Sequence, residues 1–238
     1  MQRIKVIVFK EWRESLRNKM ILLGAIFLPL VMVGASLVMV YQGRAIEVPG
    51  AQVALFNTAL MYFLIMPAII PLAIAAYSII GEKEQASMEP LLATPISDSE
   101  LFLGKALASV IPAIGLTWAS FGLFLGVCIL LVGGIPPHVL NPPWIAAIFG
   151  ISPLLSLFSV GVTLLVSSRA TDARAAYQFS SFGILPALIP LIVYTSKKTL
   201  VNLWLVGVEG VLLIVASVIV LYFAIKVFSR EQILTRWK

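Results

Sequence analysis

The sequence predicts an all-α membrane protein in one domain, residues 1–238. Six transmembrane helices have both termini inside, an amphipathic helix (1–19) lies at the interface, and a cytoplasmic segment (81–105) joins spans two and three. Three observations predict this. Of the 238 residues 60% are hydrophobic and only 12% charged, about half the ~25% of a soluble domain, and the mean hydropathy is +1.02. Six apolar runs punctuate the chain, several longer than the roughly 18 residues that separate a spanning helix from a buried one. Finally, with the termini inside, 14 of the 17 Lys and Arg fall in cytoplasmic segments, leaving only Arg44, Lys197 and Lys198 outside. That bias sets orientation. It also accounts for a pI near 9.6 without a nucleic-acid surface, because the cations flank helices.

The first element is IKVIVFKEWRESLRNK, Ile4–Lys19. Ile4, Val8, Trp12 and Leu16 recur every four residues while Lys5, Arg13, Arg17 and Lys19 take other faces, the pattern of a helix lying on the inner leaflet. Its positive stretch and the apolar run behind it are longer than the 7–15 residues of a signal-peptide core, so cleavage is not expected. Span one is Met20–Tyr41 and span two is roughly Ala54–Ile80, ending at Gly81.

A polar island follows. GEKEQASMEPLLATPISDSELFLGK, Gly81–Lys105, holds five of the eleven acidic residues of the chain. Ser87 ahead of Met88-Glu89-Pro90 is a helix start, since Ser caps well and proline is tolerated in a first turn. Met88, Leu91 and Leu92 then make one small apolar edge. Thr94-Pro95 stops that helix, and Ser97 with Glu100 three residues on is a capping box that starts another. The island therefore reads as a rigid two-helix finger with acidic flanks and a small apolar edge, presented to a cytosolic partner.

Beyond span three (Ala106–Val132), GIPPHVLNPP (Gly134–Pro143) is a proline-rich outer turn expected not to be helical. Span four is Trp144–Val166 and span six Leu200–Ile225. Span five, Phe179–Tyr194, is 16 residues, about 24 Å at ~1.5 Å per residue against a core of ~30 Å. It must begin earlier, near Arg174, or break, and Pro186 and Pro190 point to a break. The phrases PAIIPL (Pro67–Leu72) and PALIPL (Pro186–Leu191) mark spans two and five as proline-kinked. Glu209 is the acid deep in an apolar run. Such a group faces a pathway or pairs with a neighbouring side chain.

Catalytic and metal-binding sets are absent from the sequence. The sole Gly-Lys, Gly104-Lys105, has Ser99 and Ala106 where a phosphate-binding loop needs Gly and Ser/Thr, so ATP has no cradle here. There is no HExxH and no GxSxG. The single His138 reads as a loop residue, and the single Cys128 excludes an intrachain disulfide.

The island resembles the cytoplasmic loop between spans two and three of ABC-2 type transporter permeases. Glu82, Lys83, Glu84, Glu89, Leu91, Leu92, Thr94, Pro95, Ser97, Gly104 and Lys105 fall on that family's pattern, with Ala86-Ser87 and Met88 as mild departures. Lys10-Glu11 and Arg17-Asn18-Lys19 are similar to its N-terminal connecting helix, and the wording of the loop is closest to permeases of the sodium-extrusion type. The resemblance implies one half of an exporter in the cytoplasmic membrane, working as a homodimer or with a similar permease. A coupling helix would seat in a separate cytosolic ATPase that carries ATP and Mg. Glu82, Lys83, Glu84, Met88, Glu89, Leu91 and Leu92 would form the coupling interface. The path would run between spans of the two halves, with Pro67, Pro71, Pro186, Pro190 and Glu209 along it. An ion-coupled transporter or channel using Glu209 is the alternative.

Overall fold

Asn18 and Ser97 show how local chemistry sets the helix boundaries. The computed structural model describes residues 2–84, 97–136, 138–168, 170, 172–196 and 201–227. Seven helices occupy them: α1 (Gln2–Arg17), α2 (Lys19–Arg44), α3 (Pro49–Glu84), α4 (Asp98–Val132), α5 (Pro142–Ser167), α6 (Ala173–Ser196) and α7 (Leu203–Val227). Asn18 Oδ1 accepts the Met20 and Ile21 N–H groups at 3.0 and 3.4 Å, so the chain corners there and α2 starts afresh. Ser97 Oγ accepts the Glu100 N–H at 3.2 Å and Glu100 Oε2 accepts the Ser97 N–H at 3.0 Å: the expected capping box is formed. At the far end of α4, Gly133 takes φ 76°, a left-handed stop that a side chain would strain.

Five helices are long and apolar enough to cross a membrane: α2, α3, α4, α5 and α7. The sixth expected span falls on α6, which is 24 residues long. It starts near Arg174, as its length required, and it does not break: Pro186 and Pro190 lie inside one continuous helix. It packs on α3 and α5. The second span also differs from expectation, running past Gly81 to Glu84. The outer turn ends two residues early. Pro142 and Pro143 form the first turn of α5 behind Asn141, positions where the missing N–H costs nothing.

α3 is the central post. It packs against α2, α4, α5 and α6, and 72% of its most apolar stretch is buried, against 22% for α2 and for α7. Phe63 of α3 meets Phe121 and Phe124 of α4 at ring separations of 5.3 and 5.2 Å. α5 is the second layer and carries α7 on its outer side.

Three of the prolines inside these helices, Pro71, Pro112 and Pro153, are matched by side-chain donors. A proline leaves the carbonyl four residues back without its N–H, and in hydrocarbon that group needs another donor. Pro71 frees Pro67 O, and Ser156 of α5 donates to it at 3.0 Å; Ser159 donates to the adjacent Ala68 O at 2.6 Å. Pro112 frees Ala108 O, which accepts the Trp12 indole N–H at 2.9 Å. In α5, residues Ala147–Ile151 are wound as a π-helix. There the register reaches five residues back, so Pro153 leaves Ile148 O open. Ser152 Oγ and Trp118 Nε1 both donate to it.

Candidate functional site

Lys105 is the side chain that organises the α1 end of the bundle. Its Nζ lies 2.8 Å from Glu11 Oε1, 2.9 Å from Ser78 O and 3.0 Å from Ser78 Oγ, three acceptors for the three donors of an ammonium. The Lys105 and Glu11 side chains are 1% and 3% exposed. One buried cation thus joins α1, the last turns of α3 and the first turns of α4. Gly104 makes the approach possible: a Cβ there would lie 2.7 Å from Ile7 Cγ2, so any side chain would push α1 away. Trp12 closes the row with its bond to Ala108 O. Ile7, Glu11 and Trp12 on α1 therefore meet Gly104, Lys105 and Ala108 on α4, at helical spacing on both.

This seating revises the expected interfacial stripe. Val8 is buried, and Ile4 and Trp12 are half-buried, so they face the protein, whereas Val6, Phe9 and Leu16 are exposed. α1 lies on α4, and only its outer edge is left for lipid.

Of the expected coupling residues, Glu82, Lys83 and Glu84 belong to the last turn of α3, while Met88, Glu89, Leu91 and Leu92 lie outside the described residues. The helices on either side of residues 85–96 are the two that Lys105 ties together.

The expected path residues divide. Pro67 and Pro71 are buried in the core beneath α5, and Pro186 is exposed on α6 with Pro190 half-buried. On the side of α3 that turns from α5, a cleft opens between α2, α3 and α6. Its wider part, about 340 Å³, is lined by Ala73, Tyr77, Arg174, Tyr177 and Gln178. A narrower apolar part of about 160 Å³ continues along Gly24, Ile69 and Ile70. α3 and α6 share this cleft with α2, and its polar mouth is at the α1 end.

Glu209 is 3% exposed on the face of α7 that packs on α5, and its Oε2 has no hydrogen-bond partner among the described residues. Beside it, a Cβ on Gly210 would sit 3.4 Å from Ile151 Cδ1, which sets Glu209 level with the π-helical segment. Lys197 and Lys198 lie outside the described residues. His138 stacks on Phe56 at 5.9 Å, a packed loop residue.

The sequence model of the ABC-2 family transporter protein matches residues 5–203, which takes in α1, the Lys105 junction, the cleft and α6. The chain belongs to the ABC-2 transporter family. It is accordingly a multi-pass membrane protein and a transport component rather than a catalyst. Comparison with curated proteins returns no match. The ABC-2 pattern brought Gly104 and Lys105 into view as part of a loop motif, yet their partners on α1 went unread. Two signals pointed there. Glu11 is an acid on the apolar side of an amphipathic helix, and Ala108 stands four residues before Pro112.

Proposed function

We propose that this ABC-2 permease is the membrane half of an ATP-driven exporter. Six spans cross the membrane with both termini in the cytoplasm, α6 being the fifth. Two permeases, identical or similar, enclose the path, and a separate cytosolic ATPase holds ATP and Mg and engages residues 82–92.

The observation that carries this reading is the Lys105 junction. A segment that receives force must hand it to the helices it joins, and a loose loop dissipates it. Here the roots of residues 85–96 are bound to each other and to α1 by a buried, charge-assisted contact, the stronger kind of hydrogen bond. A push on 82–92 would move α1, α3 and α4 as a unit. α3 carries Pro67 and Pro71 inside it, each removing a backbone hydrogen bond, so its lower half would be free to swing relative to the rest and change the width of the cleft it shares with α2 and α6. The polar mouth at Tyr77, Arg174 and Gln178 would admit substrate from the inner side, and Glu209, which faces α5 rather than this cleft, would meet substrate only where the path opens between α5 and α7.

Affinity purification of the permease from its native membrane tests the reading. A phosphate-loop ATPase should co-purify, and Glu84→Ala with Leu91→Ala should release it while leaving the permease folded. Retention of the ATPase by that double variant would remove residues 82–92 from the interface. Absence of any ATPase would leave an ion-coupled transporter using Glu209 as the better account.

A further inference from the structure

Next to the cleft, with Ile21, Ala25 and Ile74 lining both, lies a second cavity. It is a groove of about 390 Å³ between α1, α2 and α4, within the ~300–1,000 Å³ of ligand sites. Its walls are almost wholly apolar: Leu16 on α1, Leu22 and Ile26 on α2, Ile111 and Leu116 on α4, with Trp12 at its head. Pro112 and Ala108 line it at the level where the Trp12 indole is tied to Ala108 O. From Ala108 to Leu116 it runs about 12 Å along α4 at ~1.5 Å per residue, a depth that suits the upper part of an acyl chain.

The rim carries the opposite chemistry. Arg13 and Arg17 flank Leu16, and Lys19 follows at the α1–α2 corner; all three are exposed. None has a carboxylate within ion-pair distance among the described residues, whereas Lys10 and Arg3 on the same helix pair with Glu14 and Glu100, each at 3.7 Å. Three exposed cations close in sequence to the groove-lining Trp12, Ser15 and Leu16, with no carboxylate partner among the described residues, complement an anionic headgroup above a hydrocarbon tail.

We infer that this groove is a binding site for an anionic phospholipid of the leaflet that α1 lies on. The chain enters between α2 and α4 while Arg13, Arg17 and Lys19 hold the phosphate. Such a lipid would fill the space that α1, α2 and α4 enclose beside the cleft and set how far α2 can move against α4. The site needs only that the chain sits in a bilayer, and it stands whichever molecule is transported.

Trp12 provides the reporter. The full-length permease is reconstituted into phosphatidylcholine vesicles containing either brominated phosphatidylglycerol or, at the same mole fraction, brominated phosphatidylcholine, and tryptophan quenching is titrated. Half-quenching by the glycerol lipid should come at a mole fraction at least roughly fivefold lower, as three surface cations would favour. The Arg13→Gln/Arg17→Gln/Lys19→Gln variant, altered only at exposed positions, should lose that preference. Trp12→Phe should lose the preferential component, and if that variant does not fold, the wild type against the triple variant still decides. Equal quenching by the two lipids overturns the proposal, because bulk lipid then fills the groove. A preference that survives the triple variant overturns it as well, and so does an absence of any quenching assigned to Trp12, as when a second protein covers the face.

Discussion

Lys105 on α4 and Glu11 on α1 meet at 2.8 Å with both side chains closed off from solvent. They lie 94 positions apart in sequence. Taking two charges out of water is costly, and their attraction repays it only with good geometry and further partners. Ser78 supplies those partners through its hydroxyl and its carbonyl. The pair is therefore best understood as fixing α1 in one place on α4.

Breaking the pair from one side should be far worse than removing it. Glu11→Leu or Lys105→Met alone should lower stability by about 3–5 kcal/mol, while the double variant should recover most of it. Thermal unfolding of the detergent-solubilised protein reads this. If the double variant is as unstable as the sum of the singles, Glu11 and Lys105 do not act as a pair. The recovered double variant should still transport poorly, because its α1 no longer has a fixed seat.

Ser156 should matter only because Pro71 is there. Ser156→Ala should cost about 0.6–1.7 kcal/mol, the range of hydrogen bonds within membranes, by leaving Pro67 O without a donor. Pro71→Ala restores an N–H to the helix, so in that background Ser156→Ala should be close to neutral. A double-mutant cycle measures the difference, and an unchanged penalty would show that the hydroxyl serves some other group.

Trp12 and Pro112 form the same kind of couple across α1 and α4. Trp12→Phe keeps most of the ring contact, including the neighbouring Phe9 at 5.7 Å, and removes only the indole N–H. It should loosen α1, visible as faster hydrogen exchange over residues 2–17. Pro112→Ala should slow that exchange again. Equal exchange in wild type and Trp12→Phe would mean that the bond to Ala108 O does not hold α1.

Glu209 should trade stability for transport. A buried oxygen without a partner costs about 1–3 kcal/mol, so Glu209→Leu should raise the melting temperature. The same change should depress export, as expected of a side chain kept for contact with substrate. A stabilised variant that transports at the wild-type rate would leave Glu209 outside the path.

The sequence carried the parts that depend on neighbours along the chain. Asn141 with Pro142 aside, five of the spans, the cap at Ser97 and the early start of α6 follow from apolar length, capping chemistry and proline placement. What it did not carry depends on neighbours across the bundle. The prolines of α6 looked like a break because a proline read alone is a missing bond; Ser156, Trp12 and Trp118 show that the donor can come from another helix. Glu11 looked like one charge of an amphipathic helix, and its burial follows only once Gly104 lets α1 come close. The division of Pro67 and Pro71 from Pro186 likewise depends on which helix takes the centre.

The most direct measurement of the central claim places a photo-activated cross-linking residue at Leu91 of the assembled transporter in its native membrane. The account predicts a cross-link to a separate phosphate-loop ATPase, with its yield changing between nucleotide-free and ATP-bound states. Cross-links confined to lipid or to a second permease, in a preparation that still exports substrate, would contradict it.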